Sequence, residues 1–202
     1  CTLFPYTTLF RSSNSDRDGF GLNLPFFINI SDSTDITLFP EYYANRGFMP
    51  GAEFRYIIDA ESKGRFMGSY LDDMLSDPSE TEYYEETGFT HTNSDRYWIR
   101  GKVDQDLPYS IISRLDVDVV PDRDYLEEFN SGVTGFNESQ DSFLDTFGRG
   151  FENRSDDERQ NSLRFFRPWT SSFLNIDFLA INDVREVKTS PTPLWKLPSI
   201  DY

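Results

Sequence analysis

Hydrophobic and polar side chains alternate along most of the chain from residue 19 onward. Over 51–58, Phe54 and Tyr56 fall on one side of an extended backbone, whereas Glu53 and Arg55 fall on the other. The same two-residue period recurs over 97–104, 111–119 and 173–181. This period is typical of β-strands whose two faces meet different surroundings. Helical spacing does not persist beyond about one turn, so the pattern predicts an all-β fold.

The alternating runs predict nine or ten strands. They lie near 20–30, 34–44, 49–59, 64–71, 83–93, 96–106, 109–120, 159–167 and 171–182, with a tenth from about 194. Turn residues such as Asn45-Arg46-Gly47 and Ser62-Lys63-Gly64 separate them. Short connections between consecutive strands predict an antiparallel meander. The exception is 121–158, rich in acidic and small polar residues, which predicts a long loop or a poorly ordered insert.

Two architectures share this alternation. A soluble β-sandwich turns one face of each sheet to a shared core. A transmembrane barrel strand needs about 9–11 residues, with aromatic side chains at both membrane interfaces. Several runs have that length and end in aromatic residues, such as Tyr42-Tyr43 and Tyr97-Trp98. The pattern therefore favours part of a membrane barrel. If the first strand starts in the periplasm, 121–158 lies outside the cell and 72–82 is a fairly long inner turn.

Composition excludes several classes of function. Acidic residues outnumber basic ones 35 to 19, which gives a net charge of −16 and argues against nucleic-acid binding. The lone Cys1 cannot form an internal disulfide, and the lone His91 is expected to be a lumen or rim residue rather than a catalyst. Paired acids such as Asp72-Asp73 lack the spacing of a calcium loop. We therefore expect no enzyme activity, no metal and no cofactor.

The first twelve residues differ from the rest. They repeat Thr-Leu-Phe and then change abruptly to the polar run Ser13-Asn-Ser-Asp16. This segment resembles translated sequencing-adaptor DNA, with a native edge strand as the alternative reading. The expected organisation is a non-native segment at 1–12 and a barrel portion at 13–202.

Four blocks near the start carry a family resemblance. They are Leu24-Pro25-Phe26-Phe27, Asp35-Ile-Thr-Leu-Phe-Pro40-Glu-Tyr-Tyr43, Asn45-Arg46-Gly47 and Gly51-Ala-Glu-Phe-Arg-Tyr56. Their order and spacing resemble the start of the barrel in the outer-membrane lipopolysaccharide-assembly protein family. Weaker similarities follow at 70–73, 122–129 and 197–199, so the resemblance covers about 19–202.

The resemblance implies a larger assembly than this chain. By this resemblance, the full protein would consist of a periplasmic jellyroll domain followed by a very large barrel, which a lipoprotein plugs. The chain would be about the first nine or ten strands of a partial transmembrane β-barrel in the cell outer membrane. Its implied partners are lipopolysaccharide, the plug lipoprotein and, through the jellyroll, periplasmic bridge proteins. The implied function is insertion of lipopolysaccharide into the outer leaflet through the lumen and a lateral gate.

The resemblance also points to candidate residues. Pro25 and Pro40 match the spacing of the family's gate prolines, and each removes one donor from a strand ladder. The alternative is that both merely mark strand edges or bulges. Four basic residues could contact lipopolysaccharide phosphates from the lumen: Arg55, Arg100, Lys102 and Arg114. Cross-strand pairing with nearby acids is the alternative role for these four.

Two other functions remain open from the residues alone. One is a small complete outer-membrane barrel, although Pro191, Pro193 and Pro198 disfavour the strong terminal strand that it needs. The other is a soluble β-sandwich that binds carbohydrate.

Overall fold

A computed structural model describes residues 11–15, 17–75, 77, 79, 84–85, 88, 93–185 and 195–202. The predicted strand at 83–93, including His91, falls largely outside these residues, as does the segment 1–10. The strands are β1 (Arg11–Ser15), β2 (Gly19–Asn23), β3 (Phe26–Ser31), β4 (Thr34–Tyr43), β5 (Gly47–Ile57), β6 (Lys63–Asp72), β7 (Asp95–Leu107), β8 (Ile111–Val119), β9 (Glu158–Pro168), β10 (Phe173–Asp183) and β11 (Trp195–Asp201). Two helices, α1 (Asp124–Glu128) and α2 (Phe136–Phe147), lie between β8 and β9.

All described strands belong to one antiparallel sheet. Neighbours follow chain order from β1 to β11, except that β2 and β3 both pair with β4. The described pairings leave the sheet open between its first and last strands. This confirms the predicted all-β meander and is consistent with part of a barrel. A β-sandwich would instead divide these strands between two sheets packed face to face. Within the described part of the chain, neither helix is long and apolar enough to cross a membrane.

The predicted strand at 20–30 is interrupted in the structure. Asn23 lies opposite Glu41 and Phe26 lies opposite Leu38, so β2 and β3 keep one register on β4. The interruption falls at Leu24 and Pro25, where the proline ring limits regular strand geometry. The two pieces therefore act as one strand with a local break.

The strand order changes the predicted position of the long connections relative to the two ends of the sheet. Because β6 pairs directly and antiparallel with β7, the chain leaves β6 at Asp72 and enters β7 at Asp95 at one end of the sheet. The chain also leaves β8 and enters β9 at that end, where residues 120–157 lie. The prediction that placed 72–82 and 121–158 at opposite ends is therefore wrong. It placed a strand at 83–93 between these two strands of the sheet, whereas β6 and β7 are direct neighbours.

The segment predicted as a loop or poorly ordered insert at 121–158 contains both helices, and we call 121–157 the insert. Phe136 and Phe143 face the sheet and are buried, and Phe147 packs beside them. Their spacing of seven and then four residues places them along one helix face. Gly148 ends α2 in the left-handed conformation, with φ of 68°. The sequence-based statement that helical spacing never exceeds about a turn is therefore wrong here.

The hydrophobic core lies between the insert and one face of the sheet, which we call the inner face. Its buried members are Met49, Leu71, Trp98, Val120, Tyr125, Leu126, Phe129, Phe136, Phe143, Phe151 and Val184. The inner face also buries polar side chains: Asp35, Thr37, Glu41, Glu53, Ser69, Arg96, Arg100, Lys102 and Asp118. The outer face exposes large apolar ones: Phe26, Ile28, Leu38, Tyr42, Phe48, Phe54, Tyr70, Ile99 and Phe178. This distribution is the inverse of that of a sheet exposed to water on one side.

Candidate functional site

The two candidate gate prolines lie beside each other in neighbouring strands. The shared register places Leu24 opposite Pro40 and Pro25 opposite Phe39. The amide of Leu24 donates a long hydrogen bond of 3.3 Å to the carbonyl oxygen of Pro40. Pro40 has no N–H to return a bond to the Leu24 carbonyl. One ladder bond is therefore missing between β4 and the interrupted strand that β2 and β3 form.

Pro25 affects the other side of the same strand. In an antiparallel ladder, alternate residues direct their N–H and C=O groups to opposite neighbours. Because Leu24 bonds to β4, the backbone nitrogen of Pro25 faces away from β4, towards the edge of the sheet. In the described pairings β1 covers the edge of β2, whereas β3 is paired only with β4. Pro25 therefore removes a donor at the edge that a further strand would join.

Two of the four basic candidates are buried beneath the insert. The Arg100 guanidinium, 0% exposed, donates to Ser139 Oγ at 3.0 Å and to the Thr134 carbonyl at 2.7 Å. Lys102 Nζ lies 2.9 Å from an Asp116 carboxylate oxygen. The structure thus places both on the inner face, where the insert covers them.

The other two candidates lie further from the core. Arg55 forms a two-point interaction with Asp35, at 2.9 and 3.0 Å. The Arg114 side chain is 55% exposed and lies 3.6 Å from Asp104. The four basic residues therefore do not converge on one site, and cross-strand acids contact three of them. Asp104 and Asp116 were expected in this role, whereas Asp35 takes the place expected for Glu53, which instead pairs with Arg65.

Aromatic side chains of the insert cover the basic inner face. The guanidinium of Arg65 lies 4.8 Å from the Phe143 ring centroid, and Lys102 Nζ lies 4.8 Å from that of Phe151. Trp98 stacks on Phe136 at 5.8 Å between centroids and meets Phe151 edge-on at 5.6 Å. Contacts between cations and aromatic faces stabilise such pairs when they are withdrawn from water. Cation–aromatic and aromatic–aromatic contacts therefore hold the insert against the inner face.

A buried ionic cluster joins the insert to the first strands. Arg46, in the turn after β4, contacts Asp73 at 2.6 Å and Glu128 of α1 at 2.8 Å. Burial opposes ionisation of Asp73, but Arg46 outweighs burial and holds the Asp73 pKa below its ordinary value. At Glu128 burial dominates over Arg17 and Arg46, so the pKa of that carboxyl is raised. Burial likewise raises the pKa of Asp124, which pairs with Arg96 at 2.9 Å.

A polar cavity of about 380 Å³ lies between the first strands and the insert. Its lining includes Asn23, Glu41, Tyr43, Phe129 and Thr134. The Thr134 hydroxyl donates to Glu41 at 3.0 Å, which ties the wall of the cavity to β4. Among the described residues, no group of three or more His, Cys, Asp or Glu side chains is arranged to hold a metal ion.

Sequence reasoning missed the residues that position the insert. Trp98 donates from its indole N–H to Asp118 at 2.8 Å, and Arg159 holds the other Asp118 oxygen at 2.5 Å. One signal was present in the sequence. The insert carries Tyr125, Phe129, Phe136, Phe143, Phe147 and Phe151. An aromatic residue every four to seven positions is unusual for a solvated loop.

Comparison with known proteins finds similar chains in several bacteria. LPS-assembly protein LptD of Xanthomonas campestris pv. campestris (strain 8004) is 32% identical over 136 residues, covering 66% of this chain and 14% of that protein. The protein of the same name from Xanthomonas oryzae pv. oryzae (strain MAFF 311018) is 32% identical over 147 residues, covering 72% and 15%. That of Pseudomonas entomophila (strain L48) is 26% identical over 191 residues, covering 94% and 17%. The chain thus spans about a sixth of its curated relatives or less. No protein-family profile matches the sequence.

Proposed function

This chain belongs to the LPS-assembly protein family, and we propose that it forms the first strands of an outer-membrane barrel that inserts lipopolysaccharide into the outer leaflet. In this proposal the saccharide part passes through the lumen, and the acyl chains leave sideways through a seam at the first strand. The whole protein's partners would be lipopolysaccharide, a plug lipoprotein and periplasmic bridge proteins. Its place would be the cell outer membrane.

The outer face of the sheet supports membrane insertion. Side chains such as Phe26, Leu38, Phe48 and Ile99 point away from the insert and are 40–55% exposed. A contiguous apolar surface of this kind is costly in water but favourable against lipid chains. The inner face carries many charged and polar side chains beside the core under the insert, and a polar lumen is typical of membrane barrels. An open sheet edge would be costly in lipid, which favours additional strands in the functional protein.

The missing ladder bonds at Pro25 and Pro40 carry the gate proposal. A seam can open only if its strands separate at low cost, and each absent donor removes about 0.5–1.5 kcal/mol of pairing. Pro25 acts at the edge where a closing strand would pair, while Pro40 loosens the same strand from β4. Both effects act on the strand that β2 and β3 form, at neighbouring positions of its register on β4. We therefore assign Pro25 and Pro40 to the lateral gate.

The basic residues divide into two groups in this proposal. Arg100 and Lys102 are held by the insert, so lipopolysaccharide phosphates could reach them only after the insert is displaced. Arg55 and Arg114 lie outside the covered area and are better placed for lumen contacts. A phosphate would have to compete with Asp35 for Arg55 and with Asp104 for Arg114.

The experiment is the double variant Pro25→Ala/Pro40→Ala in the full-length protein. Restored ladder bonds should stiffen the seam and slow the appearance of new lipopolysaccharide at the cell surface. The matched control is Pro168→Ala, at the end of β9, beyond the β8–β9 pairing that ends at Ile112 and Phe166. Unchanged export in the double variant, with normal protein levels, would refute the gate assignment.

A second measurement tests the size of the assembly. An antibody against residues 19–202 should detect a heat-modifiable band several times larger than this chain in native outer membranes. A membrane band of the size of this chain would support a small complete barrel instead, and a soluble band would contradict membrane insertion.

A further inference from the structure

The β5–β6 boundary is only partly paired. The ladder runs from Ile57 opposite Lys63 to Gly51 opposite Ser69 and stops there. Both strands continue, β5 back to Gly47 and β6 on to Asp72. Pairing on either side is unaffected, because β4–β5 continues to Tyr43 opposite Gly47 and β6–β7 continues to Asp72 opposite Asp95. The two neighbouring boundaries therefore stay paired where β5–β6 is not.

Pro50 lies where the ladder stops. The amide of Ile58 donates to the Ser62 carbonyl, which sets the positions in this register that exchange hydrogen bonds. Counting back in steps of two, Pro50 should donate to Tyr70 but has no N–H. One hydrogen bond from the Met74 amide to the Arg46 carbonyl, 2.9 Å long, rejoins the two segments beyond the gap.

Pro50 also lies at the height of the gate prolines. It is directly opposite Pro40, which in turn is opposite Leu24 and diagonal to Pro25. The three prolines thus form a row across the first strands. Each one removes a donor at a different place: the open edge, the boundary with β4, and the β5–β6 boundary.

The outer surface beside Pro50 offers little packing to compensate. An apolar depression of about 580 Å³ covers Pro50, Ala52, Gly68 and Tyr70. A Cβ atom placed on Gly68 would meet no other atom within 4 Å. The missing backbone bond and the depression on the outer face therefore coincide at this boundary. On the inner face, Met49 and Leu71 pack in the core and Arg46 contacts Asp73 across the boundary.

We propose that Pro50 makes the β5–β6 boundary a hinge, on which residues 19–57 move as one flap when the gate opens. This inference rests on the proposed function and deepens it, because it identifies which strands of the barrel wall move when the seam opens. Within the flap, ten consecutive pairs join β4 to β5, from Thr34 opposite Tyr56 to Tyr43 opposite Gly47. The flap is therefore held together internally, and its movement requires release of the contacts that Arg46 and Glu41 make with the insert.

The first test is Pro50→Ala in the full-length protein, with Pro168→Ala as the matched control. The new amide should complete the ladder, so that the amides of 47–49 and 70–72 exchange hydrogen about fivefold more slowly than in the unsubstituted protein, the value for one added bond. Surface delivery of lipopolysaccharide should slow as well. Pro168→Ala should change neither measurement.

The second test locks the hinge covalently. A disulfide between Phe48→Cys and Asp72→Cys would join the unpaired segments across the gap, with each single-cysteine variant as its control. The pair Leu38→Cys/Ala52→Cys forms a disulfide inside the flap, between residues that are already paired. The first disulfide should stop or strongly slow export, whereas the second should not.

The outcomes separate this inference from the proposed function. If Pro25→Ala/Pro40→Ala slows export but neither Pro50→Ala nor the 48–72 disulfide does, the hinge is refuted and the gate stands. If none of these variants slows export, both are refuted. Slow export caused equally by the disulfide inside the flap would also refute the hinge, because it would show that any cross-link in this wall is inhibitory.

Discussion

The guanidinium of Arg46 lies 2.8 Å from the carboxylate of Glu128, which joins the turn after β4 to the first helix of the insert across 82 residues of sequence. The same guanidinium holds Asp73 at the end of β6. The side chains of all three residues are at most 1% exposed. One buried cation therefore fixes two strand ends and the insert relative to one another.

Removal of the Arg46 cation should release the insert. In Arg46→Met, Asp73 loses its buried cation and Glu128 keeps only the partly exposed Arg17, 3.1 Å away. Breaking a buried ion pair of this kind costs about 3–5 kcal/mol. The free energy of opening of α1, measured by native-state hydrogen exchange in the full-length protein, should fall by that amount. The control Arg164→Met breaks an ion pair whose arginine is 55% exposed and should cost at most about 1 kcal/mol. Equal effects in the two variants would contradict the conclusion that Arg46 holds the insert in place.

The stability of the insert should depend on pH with a maximum in mildly acid solution. Glu128 and Asp124 have raised pKa values when folded, so they bind protons more tightly than in the unfolded chain. Their stabilising contribution is complete below their ordinary values of 4.5 and 3.8 and is lost as pH rises through the folded pKa. Asp73 has a lowered pKa, so its contribution is lost as pH falls through the folded value.

Hydrogen exchange of α1, corrected for intrinsic rates at each pH, measures this profile. Protection should increase from neutral pH towards the ordinary carboxylate range and decrease in stronger acid. In Glu128→Gln, which cannot titrate, the increase on the neutral side should be smaller. Protection that rises steadily towards neutral pH would show that the raised values assigned to Glu128 and Asp124 are wrong.

The core beneath α2 should be sensitive to loss of one ring. Phe143 is 0% exposed and meets the Phe151 ring at 4.9 Å between centroids, so Phe143→Ala should destabilise the insert by about 3–5 kcal/mol. Its neighbour Leu144 is 47% exposed, and Leu144→Ala should change stability by no more than about 0.5 kcal/mol. Denaturant titration of the Trp98 environment by fluorescence would compare them. Similar losses would mean that α2 does not bury the Phe143 face.

Two glycines on the outer face should respond differently to alanine. Gly101 lies opposite Phe66, and a Cβ there would collide with that ring. Gly101→Ala should therefore destabilise the sheet by about 1–3 kcal/mol, the usual cost of overpacking. Gly68, on the neighbouring strand, has free space, so Gly68→Ala should be neutral or slightly stabilising. Thermal unfolding in detergent compares the two, and equal melting temperatures would contradict the ring placement.

Prediction from sequence succeeded where side chains alternate in long runs. The alternation over 97–104 and 173–181 fixed which side chains share a face, because the two-residue period of a strand allows only two faces. It failed at 121–158, where the helical aromatics are diluted by acidic and small polar residues. Those aromatic side chains pack against Trp98, Arg65 and Lys102, which belong to strands distant in sequence. Their role is therefore visible only in the folded protein.

The candidate site shows the same division. The family resemblance pointed to Pro25 and Pro40 as gate candidates, and the lack of a donor at each follows from proline itself. The sequence also determined, through its alternation and aromatic content, that the chain is an antiparallel sheet with one apolar face. Only the tertiary structure decided that Pro50 joins the row, that the insert covers Arg100, and that β6 and β7 are neighbours in the sheet. Those relationships depend on strand register and on contacts across many residues, which no local pattern encodes.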